Sequence, residues 1–201
     1  MKTIALLLTL ALTGCKTRAD EPPPAAAPAR TAADADRIEV LARHRPIAGK
    51  EDLDSDPVVV HFDRFAVTKA HFDPQHLEGG TATLTLDFTS IKTGSDERDK
   101  DLQSPDYIDV AKFATATIDV ANVKQAGAKY TADAAVAFRG ITKTYPITFE
   151  VLATTADSVR IKGEHGFSRL DFAVGIDPAT DPTERIDTPL VIQWTLTLET
   201  H

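Results

Sequence analysis

Leu190-Val191-Ile192-Gln193-Trp194-Thr195-Leu196-Thr197-Leu198-Glu199 places large apolar side chains at every even position and mostly polar ones at every odd position after Val191. A helix would need apolar residues three and four apart, whereas a period of two puts successive side chains on opposite faces of a strand. The same alternation runs through Leu84, Leu86 and Phe88, and through Tyr130, Ala132, Ala134, Val136 and Phe138. Each of these strands therefore has one face buried and one in water, as in an antiparallel sheet.

Further strands are expected at 37–44, 58–67, 114–123, 144–153 and 158–167, separated by turn signals such as Glu78-Gly79-Gly80, Gln125-Ala126-Gly127, Phe138-Arg139-Gly140 and Asp177-Pro178. About eight strands without helical patterns between them make an all-β barrel or sandwich. Periodicity does not choose between the two. The paired alanines Ala132 and Ala134 in an inward row fit a hollow interior, or equally a bulky neighbour such as Trp194. Residues 95–110 break the alternation; Ser104-Pro105-Asp106 predicts a short helix with Ser104 as cap and the proline in its first turn.

The chain has 201 residues, a net charge of -8 and one cysteine. A lone cysteine makes no internal disulfide and no cysteine-based metal site. The acidic balance argues against nucleic acid, whose binding needs clustered positive charge. No apolar run reaches the roughly 20 residues that span a bilayer. The cysteine's position explains it: Lys2, then an apolar run at 4–12, then Leu12-Thr13-Gly14-Cys15 have the layout of a secretory signal.

That stretch resembles the bacterial lipoprotein signal. The resemblance implies cleavage before Cys15, acylation of Cys15 (palmitate being the usual amide-linked chain), and anchoring in the cell envelope facing the periplasm. Lys16 in place of an aspartate favours the outer membrane. Residues 1–14 are thus read as signal peptide and 15–36, rich in Ala and Pro, as a tether reaching at most roughly 65 Å. The domain at 37–201 keeps the whole -8, with 18 basic and 26 acidic residues. Such a face does not adhere to anionic lipid, so the anchor alone makes the membrane contact.

Three ordered segments carry a second resemblance: Thr93-Gly94 followed by Arg98-Asp99, Ser104-Pro105-Asp106-Tyr107, Asp109 and Lys112-Phe113; Phe138-Arg139-Gly140-Ile141-Thr142-Lys143 with Pro146; and Ser168-Arg169-Leu170-Asp171-Phe172-Ala173-Val174-Gly175. They resemble the signature of the YceI-like, polyisoprenoid-binding, lipocalin-like family. Ile108, Ala114 and Ala173 stand where that pattern has an aromatic, a proline and a glycine. The resemblance implies an eight-stranded antiparallel lipocalin-like barrel with a short helix at its rim. It further implies non-enzymatic binding of a long apolar amphiphile, an isoprenoid lipid or quinone, for carriage, storage or sensing.

The expected apolar lining comprises Leu84, Leu86, Phe88, Leu102, Tyr107, Phe113 and Ile118, together with Phe138, Ile147, Phe149, Phe167, Phe172 and Trp194. Any of these also fits a plain core. Arg98, Asp99, Arg169 and Asp171 are read either as a head-group clamp, since guanidinium forks suit carboxylate, phosphate or quinone oxygens, or as a rim brace such as Arg98 with Asp171. The alternative function is a solid barrel that binds an envelope protein, and a homodimer is compatible with the sequence. Six scattered histidines match no metal spacing, and no GxSxG, Rossmann or phosphate-loop pattern is present, so no catalytic residue, metal or cofactor is expected.

Overall fold

The computed structural model describes residues 35–45 and 56–200. The segment read as a signal peptide, Cys15 and nearly all of the segment read as a tether lie outside the described residues. The strands are β1 (Arg37–Ala42), β2 (Val58–Phe62), β3 (Phe65–Asp73), β4 (His76–Asp87), β5 (Ile91–Lys92), β6 (Thr115–Ala126), β7 (Lys129–Phe138), β8 (Ile141–Thr154), β9 (Ser158–Ser168) and β10 (Pro189–Glu199), with one helix, α1 (Asp96–Gln103). They form a single curled antiparallel sheet in the order β3-β4-β6-β7-β8-β9-β10-β1-β2-β5.

Ten segments replace the expected eight strands because two strands are broken. Residues 63–64 separate β2 from β3, and a single helical turn, Phe88–Ser90, separates β4 from β5. The broken strands lie side by side, Phe62 opposite Ile91 and Phe65 opposite Leu86. The two ends of the sheet order therefore meet at one corner, and counting each broken strand once restores eight. Polar groups hold that corner. Buried Ser90 accepts from the Arg64 N–H at 2.9 Å, and the Arg64 carbonyl accepts from the Asp87 N–H at 3.1 Å. Register shifts in β3, in β6 at Asn122 (φ 55°) and in β8 supply the local bends that curling requires.

The helix also differs from expectation. Ser95 caps α1, accepting from the Arg98 N–H, and Ser104 closes it as the C-terminal cap. Asp96, Glu97 and Asp99 occupy the first turn, where carboxylates favour the helix dipole. The proline after Ser104 thus follows the helix instead of starting it.

Every hairpin places its elements at one of two ends. The turns after β3, β6 and β8 share an end with the start of β1, where Asp36 accepts from the Thr197 N–H and pairs with Arg160 at 3.1 Å. Helix α1, the β7–β8 turn and the long connection 173–188 share the other. Between them the inward rows make the core, which includes Ile38, Phe62, Leu86, Phe138, Val159 and Leu196.

Candidate functional site

The inward rows do not fill the interior. They enclose a cavity of about 800 Å³ that runs from β10 across to β4 and opens at the helix end. Small residues leave the room: Gly80 and Ala82 from β4 and Ala134 from β7 line it, where a strand row of large residues would meet its neighbours. Ala132 is buried in the same row but packs in the core. The volume falls in the roughly 300–1,000 Å³ range of pockets that bury most of a ligand.

Leu84, Leu86, Phe88, Leu102, Tyr107 and Ile118 line the cavity as expected, and so do Phe138, Ile147, Phe149, Phe167, Phe172 and Trp194. Phe113 does not. The chain reverses at Asp109 (φ 57°), and the Phe113 ring instead receives the Arg139 guanidinium, 5.3 Å above its centroid. An aromatic chain crosses the helix end: Phe62 meets Phe88 edge-on at 5.4 Å, Phe88 stacks on Phe138 at 4.4 Å, and Phe138 tilts against Phe172 at 6.1 Å. Sequence reasoning missed Val40, Val60 and Phe62, although the alternation in 37–44 and 58–67 carried the signal. It also missed Tyr145, His165 and the rim residues Ile176 and Glu184, which line the cavity too.

The rim motifs are mostly fasteners. Thr93 turns into the helix through Gly94 (φ 79°), and both its N–H and its hydroxyl donate to Asp99 Oδ1, at 2.8 and 2.7 Å. Lys92 adds an ammonium 3.3 Å from the other oxygen. Burial works to raise the Asp99 carboxyl, but the Thr93 hydrogen bonds and Lys92 outweigh it and hold the group below the usual carboxylate range. Arg139 sits in the β7–β8 turn (φ 51°, followed by Gly140 at 75°) and donates to the Tyr107 carbonyl, tying that hairpin to the segment after α1.

Arg169 is 2% exposed and fully engaged. Its guanidinium donates to four backbone carbonyls: Asp187 at 3.1 Å, Val174 at 2.7 Å, Ile176 at 2.7 Å and Ile186 at 2.9 Å. Glu184 stands 4.0 Å away. Residues 169 and 171 lie on a helical turn, Arg169–Phe172, and not on a shared strand face. Asp171 accepts from the Tyr145 hydroxyl at 2.9 Å and closes a capping box with Ser168. Burial first, and then that hydrogen bond, push the Tyr145 phenol well above its ordinary value.

Three of the four candidate head-group residues, Asp99, Arg169 and Asp171, are thus committed to the rim itself. The expected Arg98–Asp171 brace is not made, because each residue faces its own neighbourhood. Arg98 lines the cavity mouth from α1, half-buried, and its guanidinium has no partner among the described residues. No group of three or more His, Cys, Asp or Glu able to hold a metal occurs among the described residues.

The YceI-like domain model matches residues 35–198, and the chain belongs to that family. It is 33% identical over 92 residues to a UPF0312 protein of Ectopseudomonas mendocina, covering 44% of this chain and 47% of the relative. It is 33% identical over 79 residues to protein YceI of Escherichia coli O6:H1, covering 39% and 40%. The matches therefore span less than half the length of these curated relatives. Among solved structures, Burkholderia cenocepacia BcnA superposes with a TM-score of 0.68 at 20% identity, over 81% of this chain and 96% of that one. A polyisoprenoid binding domain from Saccharophagus degradans, implicated in plant cell wall breakdown, superposes at 0.61 and 15%, over 83% and 94%. These likenesses establish the shared fold.

Proposed function

We propose that this member of the YceI-like family binds one long apolar amphiphile, an isoprenoid lipid, isoprenoid quinone or related chain, inside its barrel. The observation that carries the reading is the cavity of about 800 Å³, walled by aliphatic and aromatic side chains and open at the helix end. Each 100 Å² of chain that such walls remove from water contributes about 2.5 kcal/mol. The structural neighbour described as polyisoprenoid binding supports the same ligand class.

A lipid anchor on Cys15 completes the proposal: an envelope carrier, store or sensor, with the outer membrane as its location. β1 begins at the end of the barrel away from the mouth. The point where a tether would join the barrel and the mouth thus lie at opposite ends. The solid-barrel reading draws no support from an interior of this volume.

The test is to purify the full chain carrying Cys15→Ser, which takes no lipid anchor, without detergent, extract it with organic solvent and analyse the extract by mass spectrometry. One apolar species in stoichiometric amount is expected. A lipid-free chain that also fails to take up any prenyl alcohol or quinone overturns the reading.

A further inference from the structure

His165 interrupts an apolar wall. It lines the cavity from β9, opposite Ile192 of β10. It lies three residues below Ser168, where β9 ends, so about 10 Å down from the rim. Its ring touches that of Tyr145, with centroids 5.2 Å apart. Neither ring nitrogen has a hydrogen-bond partner among the described residues. The Tyr145 hydroxyl is already donated to Asp171. An imidazole carries a donor and an acceptor; neither nitrogen is closed off from the cavity, so a chain that fills the space strips both of water unless it brings a partner of its own.

Charge at the mouth narrows what can satisfy it. Glu97, Asp101, Asp181 and Glu184 line the opening together with Arg43, Arg98 and Arg185, and Arg169 is consumed by carbonyls. Among the described residues acidic groups at least balance the basic ones at the opening, so a diphosphate head meets no concentrated positive charge there. Below His165 the walls are mostly apolar to the turn end, with Trp194, Ile161, Val159 and Leu198, and with Thr81 of β4 as a polar exception.

We propose that His165 is the head-group site, hydrogen-bonding one neutral oxygen or carboxamide at the end of a chain that enters tail first. The ligand class is a long apolar chain ending in one neutral hydrogen-bonding group, in preference to a lipid diphosphate. This rests on the lipid-binding reading above. It moves recognition from the rim arginines to a point inside the barrel.

Three probes with one C20 chain test it on the full-length protein: geranylgeraniol, the parent hydrocarbon and geranylgeranyl diphosphate. Binding is read as displacement of N-phenyl-1-naphthylamine, excited through Trp194, the chain's single tryptophan. His165→Leu is expected to lower the affinity ratio of alcohol to hydrocarbon by about two- to tenfold, and His165→Gln to keep most of it. Ligand-free His165→Leu is expected to melt no lower than the parent protein, because the imidazole makes no hydrogen bond among the described residues and a leucine keeps the apolar contact with Tyr145. An unchanged ratio in His165→Leu overturns the proposal. So does tighter binding of the diphosphate than of the alcohol, or a marked loss of stability in the ligand-free variant. Failure of all three probes to bind the parent protein removes the lipid-binding reading itself, a result distinct from an unchanged ratio.

Discussion

Trp194 packs its indole against Gly163: the two are register partners on β10 and β9, and a Cβ on Gly163 would overlap the indole Cζ2 and stand 2.7 Å from Cε2. The Thr148 carbonyl also stands 2.8 Å from that position. The glycine is therefore what lets the largest side chain of the barrel lie against the wall instead of across the cavity. Replacing Gly163 by Ala should destabilise the fold by about 1–3 kcal/mol and push the indole into the ligand space. Shifted Trp194 emission together with weaker lipid binding is the expected readout; an unchanged spectrum would contradict the packing described.

The two rim arginines should separate cleanly. Arg169→Met strands four backbone carbonyls that the guanidinium now satisfies, and is expected to cost about 3–5 kcal/mol, with faster amide exchange across 173–188. Arg98→Gln removes a side chain that has no partner among the described residues and should leave the urea midpoint nearly unchanged. A similar loss in both variants would show that Arg98 is also structural.

Ala173 ends the helical turn after β9 in the left-handed region, at φ 52° and ψ 40°. A side chain there costs about 1–2 kcal/mol relative to glycine. Ala173→Gly should raise the urea midpoint by an amount worth about 1 kcal/mol, with no change in slope. A lower midpoint would mean that the Ala173 methyl group makes compensating contacts.

Asp99 predicts an acid-sensitive rim. Its carboxyl is held below the ordinary value in the fold, so its contribution is complete above the unfolded pKa of about 3.9 and is lost as pH falls through the folded value. Asp99→Asn should therefore be less stable than the parent at pH 6, with the gap closing below about pH 4. Thermal melts across that range provide the check, and a gap that stays constant would count against the Thr93–Lys92 clasp.

Ala134 lines the cavity, and a larger side chain there points into empty space. Ala134→Leu should abolish or sharply weaken lipid uptake while shifting the melting temperature by only a few degrees, whereas a filled interior would lose about 1–3 kcal/mol to overpacking.

Most of the fold was legible because half-buried strands write their period directly into the residues. The expected segments at 130–138 and 190–199 match β7 and β10 within a residue. The breaks at 63–64 and 88–90 were not legible, since Asp63, Arg64 and Ser90 bend the chain through bonds to one another across 26 positions. Helix α1 escaped its true start for a related reason. It carries one apolar residue, Leu102, so no helical period marks it, and its cap competes with an equally plausible Ser-Pro-Asp downstream.

Residue types alone determined the antiparallel β class, the motif segments and most of the large side chains that face inward, because alternation depends only on each strand's own pleat. Tertiary structure decided what those side chains enclose. Whether a row of Leu, Phe and Trp meets another row or faces a void depends on how far the sheet curls, and that is set by bulges, the broken strands and glycines such as Gly163. It likewise decided that Arg169 braces the rim while His165 stands in the cavity with no hydrogen bond among the described residues, since a hydrogen-bond partner is a matter of position in space and not of place in the chain.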